Sequence, residues 1–350
     1  MSTFRIIECS GTPRECGRQT GEQLRAEIRE HLELGPEVGP HIPDDQWRPR
    51  RATYVARMKE AFAEYLEELE GVAEGADLPL NDIHRINMMM WPDTLRLPDG
   101  DGCTNIAFTA GPDGPVWGKN NDGFDPANAR PACARIVRPN KGIPSVTFTF
   151  CGTIAMSDGM NAEGLALGHS SVGSKFQQSD HHMPIRPWSY KGLQTCRTTA
   201  EFVAHMASKP TRGKGYSMVV LDKHGSACSL EAPCPLLQVR APEPGAAWIL
   251  CVNAYLLPPL KEADQRTVEC KNDALARAEL LKRELANSES LSEARMRELL
   301  SLHGEKTGVC RHWDREIMNT DYSMIGLPAQ GKALVAPGHP CHTEYRELTP

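Results

Sequence analysis

Twelve cysteines are spread along this 350-residue chain, at positions 9, 16, 103, 133, 151, 196, 228, 234, 251, 270, 310 and 341. None forms a CxxC pair, so neither a zinc ribbon nor a thioredoxin-type motif is written in their spacing. In a chain of this size without a secretory pattern, most are expected to be reduced and buried as small hydrophobes. Cys103 stands apart because of its neighbours. It follows the turn-rich stretch Arg96-Leu97-Pro98-Asp99-Gly100-Asp101-Gly102, where a helical pattern gives way to strands. A peptide bond before Cys in a strained turn can rearrange, because the thiol can attack the carbonyl on its N-terminal side. Water then hydrolyses the thioester. Gly102 on the acyl side has no Cβ to block the approach and accepts unusual backbone angles.

Such a cleavage would create a second useful group. An α-amino group has a pKa of about 7.7–8.0, so it can serve as general base for its own thiol without a separate histidine. On these residues alone, a buried cysteine opening a strand remains the alternative. The pair His181-His182 and the group His339, Cys341 and His342 contain metal-ligand residue types. Their spacing matches no zinc pattern, and neither a metal nor a cofactor is expected.

The elements around the break set its context. Arg14 to Leu34 reads as helical apart from two glycines. Residues 51–75 place Tyr54, Met58, Phe62, Tyr65, Leu69 and Val72 on one helical face. A third helix is expected over Asn81–Met90, ending before Pro92. After residue 104 come short strands, at 105–109, 116–119, 134–138, 145–150, 153–156, 165–170, 216–222, 227–232 and 247–255. A helix is expected over 190–206, two more over 262–286 and 291–302, and final strands at 321–326 and 332–336. This order points to a layered α+β fold rather than a βαβ alternation. A net charge of −6, with acidic and basic residues intermixed, excludes a basic nucleic-acid stripe. No apolar run is long enough for a membrane helix, and a cytoplasmic setting is expected.

Several ordered blocks resemble the acyl-coenzyme A:6-aminopenicillanic acid acyltransferase family, a branch of the N-terminal nucleophile hydrolases. They are GTPRECGRQTGEQLRAEI (11–28), DGCTNIAFT (101–109), GKNNDGFD (118–125), DGMNAEGLALG (158–168), CVNAYLLP (251–258), VCRH (309–312) and VAPGHPCHTEYREL (335–348). The resemblance implies a four-layer αββα sandwich of two antiparallel sheets flanked by helices. It implies cleavage between Gly102 and Cys103, giving a helical leader, 1–102, and a larger fragment, 103–350, that remain associated as one domain. By proportion these fragments are roughly 11 and 27 kDa.

Carried over by residue, Cys103 is the nucleophile and Asp122, nineteen positions later, orients its amine and thiol. Asn253 donates to the oxyanion, a role worth about 2.7–4 kcal/mol, and Arg311 pairs with a carboxylate or holds the cysteine loop. Two positions depart from the family pattern. Asn121 stands where an aromatic is usual, and Ala254 stands where many members have histidine, so the penicillin-related substrate is not transferred. The expected reaction is hydrolysis of a small N-acyl or aminoacyl amide through an acyl-Cys103 thioester. Acyl transfer to an amine, with acyl-coenzyme A as a candidate co-substrate, is the alternative, and a non-catalytic binding relative is the third.

Overall fold

The computed structural model describes residues 4–34, 43–88, 102–123, 126, 129–176, 179–305, 307–314, 316 and 318–350. Residues 96–101 of the turn expected over 96–102, the end of the helix expected over Asn81–Met90, and Phe124 and Asp125 of the GKNNDGFD block lie outside them.

Strand alternation sorts side chains onto two faces, and here it builds two sheets. The larger has the order β1 (Phe4–Gly11), β4 (Ala132–Pro139), β5 (Ser145–Phe150), β6 (Gly159–Asn161), β7 (Ala166–Ser171), β10 (Tyr216–Leu221), β11 (Ala227–Ala232) and β12 (Gln238–Arg240). The smaller has the order β13 (Trp248–Val252), β2 (Thr104–Phe108), β3 (Val116–Gly123), β14 (Asn319–Leu327), β15 (Lys332–Pro337) and β16 (Arg346–Leu348). All pairings in both are antiparallel except β1 with β4. Two short strands, β8 (Met183–Pro184) and β9 (Thr211–Arg212), pair separately.

Between the sheets, Ala134, Phe148, Met160 and Val219 of the larger meet Ala107, Trp117, Ile249, Tyr322 and Met324 of the smaller. Their neighbours along the strands face outward, as the two-residue period requires. Ile106, Phe108, Leu250 and Ile325 pack on α8 (Val268–Ala286) and α9 (Glu293–Leu300). The outer face of the larger sheet is covered by a helical layer made of α1 (Pro13–Gln23), α2 (Arg25–Glu33), α3 (Asp44–Ala61), α4 (Ala63–Ala76), α5 (Leu80–Asn87), α6 (Ile185–Thr195) and α7 (Thr199–Ala207), with Cys16 of α1 against Cys9 and Val137 of the sheet. Helix, sheet, sheet, helix is the expected αββα order. Among the described residues no helix is long and apolar enough to cross a membrane.

The structure corrects several expected elements. The leader is not wholly helical, because Phe4–Gly11 adds an edge strand to the larger sheet. The apolar face over 51–75 belongs to two helices that part at Phe62, whose φ of −158° is extended. The helix expected over 190–206 is likewise two, and residues 153–156 form no strand. The two glycines that interrupt the Arg14–Leu34 pattern are packing sites. A Cβ at Gly17 would stand 2.0 Å from the Glu68 carbonyl oxygen and one at Gly21 2.4 Å from that of Val72, and on the facing helix one at Gly75 would stand 2.0 Å from the Arg18 carbonyl oxygen. Thus α1 and α4 touch backbone to backbone.

The leader is also fastened by charge. Arg135 of β4 is fully buried and pairs with Glu68 of α4, which also accepts from Tyr190 Oη at 3.2 Å. Removing one partner leaves the other buried and uncompensated. Glu68→Ala is therefore expected to lower the unfolding free energy by roughly 3–5 kcal/mol, read by denaturant unfolding.

Candidate active site

Strand register brings the candidate residues to one end of the smaller sheet. Thr104 pairs with Asn120 on one side and Val252 on the other. One step beyond, Cys103 Sγ meets Asn121 Oδ1, Gly102 packs against Asp122, and Arg277 joins the Cys103 carbonyl to the side chain of Asn253, where the chain turns back past β13. On the next strand, Thr320 pairs with Asp122. Residues 102, 103 and 122 thus come together where β2 begins beside the end of β3, and Arg277 ties residue 253 to them.

Gly102 occupies a gap with no room for a side chain. A Cβ there would lie 2.8 Å from Arg311 Nη1 and 3.1 Å from Asp122 Oδ2. Its carbonyl oxygen accepts a hydrogen bond from Arg277 Nη1 at 2.5 Å, and the same nitrogen donates to the Cys103 carbonyl at 2.9 Å and to Thr104 Oγ1 at 2.8 Å. The Cys103 thiol is 5% exposed and donates to Asn121 Oδ1 at 3.9 Å. A guanidinium therefore sits on the carbonyl that the thiol would attack.

Asp122 is buried, with Oδ1 accepting from Thr320 Oγ1 at 2.7 Å. Its Oδ2 has no hydrogen-bond partner among the described residues and faces Gly102. Burial pushes its pKa up to about 7, against the pull of Arg311 and Arg277 and the Thr320 bond. Asp321, displaced where the β14 register shifts, is also raised to about 7 by burial and by the nearby Asp122.

Arg311 is buried and does hold carboxylates. It forms a two-pronged pair with Asp273, both contacts 2.9 Å, and its Nε donates to Glu316 at 2.7 Å. Its backbone N–H donates to Thr320 Oγ1 at 2.9 Å and its carbonyl accepts from Thr320 N at 2.9 Å. Asn253 engages other groups with its amide. Its Oδ1 accepts from Arg277 Nη2 at 3.1 Å, and its Nδ2 donates to the Ser171 carbonyl at 2.8 Å.

Arg277 and Lys119 are absent from the sequence-derived candidates, yet both border the junction. Arg277 carries a signal. It lies on the α8 stripe with Ala274, Ala278, Leu281 and Leu285, a charge in the middle of an apolar face. Lys119 carries none, since its fully buried position between the sheets depends on both. Its Nζ donates to Asn121 Oδ1 at 3.2 Å and to Asp158 Oδ2 at 2.7 Å, and Asp158 Oδ1 accepts from His169 Nδ1 at 2.8 Å. Burial opposes the Lys119 charge, but Asp158 and Cys103 outweigh it and raise its pKa. Asn121, a departure from the family pattern, thus joins the Lys119 ammonium to the thiol. Ala254, the other departure, is buried just past β13 and bridges back to Val252.

Residues 109–335 match the family described as acyl-coenzyme A:6-aminopenicillanic acid acyl-transferase. The 40 kDa form of acyl-coenzyme A:6-aminopenicillanic-acid-acyltransferase from Emericella nidulans is 24% identical over 170 residues, 47% of this chain and 46% of that protein. The chain therefore spans about half the length of that relative. Among solved structures, a mutant of conjugated bile acid hydrolase from Clostridium perfringens superposes with a TM-score of 0.45 and 11% identity, covering 71% of this chain and 97% of that one. Penicillin V acylase from Agrobacterium tumefaciens gives 0.43 and 12%, covering 71% and 86%. The layer order given above rests on the chain's own sheets and cores rather than on these likenesses.

The raised Asp122 makes stability depend on pH. Between its ordinary value of 3.8 and about 7 the folded chain binds a proton that the unfolded chain releases. The contribution of Asp122 to stability is therefore full below that window and is lost as pH rises through it, while His31 and His84, lowered to about 4 by burial, contribute the opposite slope. In an uncut Cys103→Ala chain, Asp122→Asn should shift the slope of unfolding free energy against pH in the positive direction by up to one proton, leaving the contribution of Asp321 in place. Denaturant unfolding across the window measures it, and equal slopes would refute the assignment.

Proposed function

Since the chain belongs to the acyl-coenzyme A:6-aminopenicillanic acid acyl-transferase family, we propose that it is a self-processing cysteine hydrolase of the N-terminal nucleophile type. The observation that carries this reading is the open oxygen of Asp122. A buried carboxylate oxygen without a partner is costly, and this one faces the bond whose cleavage would create an ammonium group beside it.

Cys103 Sγ attacks the Gly102 carbonyl while Arg277 stabilises the oxygen that gains charge. The acyl group moves from nitrogen to sulfur, and water then releases a Gly102 carboxylate, a free thiol and a free amine. Asp122 takes the new amine as its partner. The fragments 1–102 and 103–350 stay together through the β1–β4 pairing and the Glu68–Arg135 ion pair.

In the mature enzyme the amine takes the thiol proton, and the thiolate attacks the amide carbonyl of a small N-acyl or aminoacyl substrate. Asn253 Nδ2, which has a second hydrogen beyond the one given to Ser171, donates to the oxyanion. The leaving amine collects the proton, and water hydrolyses the acyl-Cys103 thioester. The family description names an acyltransferase, which favours a second outcome. There an amine acceptor replaces water, with acyl-coenzyme A or an amide as donor. We place the protein in the cytoplasm, in keeping with twelve free cysteines.

The test is rapid-quench mass spectrometry with N-acyl amides and acyl-coenzyme A thioesters as donors. An acyl adduct on Cys103 is expected, decaying to free acid in water and to a new amide where transfer dominates. Asn253→Ala should slow acylation by about 10²–10³-fold. Turnover without an adduct, or an adduct on another cysteine, would overturn the reading.

A further inference from the structure

The sequence shows no zinc spacing, but the fold assembles one set of ligands that linear spacing hides. His303 lies just beyond α9, Cys310 and His312 flank Arg311, and Cys341 stands in the turn after β15. Their ligand atoms all lie within 4.8 Å of one another. His312 Nε2 is 3.2 Å from His303 Nε2, 3.6 Å from Cys310 Sγ and 3.4 Å from Cys341 Sγ. A tetrahedral zinc ion, with Zn–N of about 2.0–2.1 Å and Zn–S of about 2.3 Å, spaces its ligand atoms roughly 3.3–3.8 Å apart. The observed separations from His312 fall within a few tenths of an ångström of those edges. His339 and His342, the histidines that stand near Cys341 in sequence, occupy the surroundings instead. The His339 ring stacks on His312 at 4.0 Å and its Nε2 meets Asn319 Oδ1 at 2.9 Å, while His342 Nδ1 lies 3.3 Å from Cys341 Sγ.

We propose that His303, Cys310, His312 and Cys341 form a structural zinc site that fastens the Arg311 loop to the C-terminal turn. On binding, Zn²⁺ displaces the thiol protons of Cys310 and Cys341 to solvent and takes the two imidazoles neutral. Two thiolates then balance the ion's two charges, so the partly buried cluster carries no net charge. Four protein ligands complete the tetrahedron and leave no position for a reacting water, which makes the site structural rather than catalytic. His303 and Cys341 are exposed and supply an entry path, while Cys310 is buried beneath them.

The placement gives the ion a consequence. The residues on both sides of Arg311 are ligands, so the metal fixes the backbone from which Arg311 reaches Asp273. That same backbone holds Thr320, whose hydroxyl binds Asp122. The zinc site is independent of whether the chain cleaves itself.

The experiment uses the full chain carrying Cys103→Ala, so that the reactive thiol cannot supply the metal. Elemental analysis of the purified protein should give about one zinc per chain. Removing it and adding Co²⁺ should produce the absorption of a tetrahedral thiolate–cobalt centre. Adding Zn²⁺ should raise the thermal midpoint. Cys341→Ser and His303→Ala should each weaken Zn²⁺ binding by about 100-fold or more. If either variant fails to fold, the cobalt spectrum of the unaltered ligand set decides. A chain that binds no Zn²⁺ after reduction, binding that survives both substitutions, or a Cys310–Cys341 disulfide in the protein as purified would overturn the proposal.

Discussion

Asp122 is buried with one oxygen bound to Thr320 and the other facing Gly102 without a partner among the described residues, and the end of the smaller sheet is organised around that imbalance. Leaving a buried acceptor unpaired costs about 1–3 kcal/mol. Two guanidinium groups, those of Arg277 and Arg311, lower the cost by attraction without closing the gap, and the pKa still rises to about 7. A charge that appears beside Gly102 on cleavage would supply the missing partner. Under the proposed cleavage, the uncut chain would hold its carboxylate in a state that bond breakage relieves.

Around that carboxylate the polar groups support one another in a closed sequence. Asp273 binds Arg311 with both oxygens and lies 3.4 Å from Arg277 Nε. Arg277 in turn binds the carbonyls on either side of the candidate scissile bond and the side chain of Asn253. Burial alone would raise the Asp273 pKa, but the two guanidinium groups hold it below the usual carboxylate range. The same burial leaves Asp122 raised to about 7. The difference follows from geometry: Asp273 meets two arginines directly, whereas Asp122 faces a glycine too crowded to carry a side chain.

Much of this arrangement is legible in the sequence, for identifiable reasons. Strands with strict alternation, such as 145–150 and 227–232, have the expected bounds. The edge strand Phe4–Gly11 is not legible, because only Ile7 and Cys9 are buried and the alternation is faint. The break at Phe62 has no Gly or Pro to announce it. Motif blocks point to Cys103, Asp122, Asn253 and Arg311, and the structure gathers all four at one strand end. Arg277 leaves a trace as a charge on an apolar helical stripe. Lys119, and the grouping of His303 with Cys310, His312 and Cys341, leave none, since their neighbours come from sequence-distant segments.

Whether the bond between Gly102 and Cys103 breaks unaided decides the role of the whole strand end. Intact mass measurement of the purified chain, with N-terminal sequencing of the heavier product, tests this directly. Two associated fragments of roughly 11 and 27 kDa are expected, the heavier beginning Cys-Thr-Asn, and one uncut chain is expected for Cys103→Ala. A wild-type chain that stays whole at 38.6 kDa, or one cut at another bond, would contradict self-processing by Cys103.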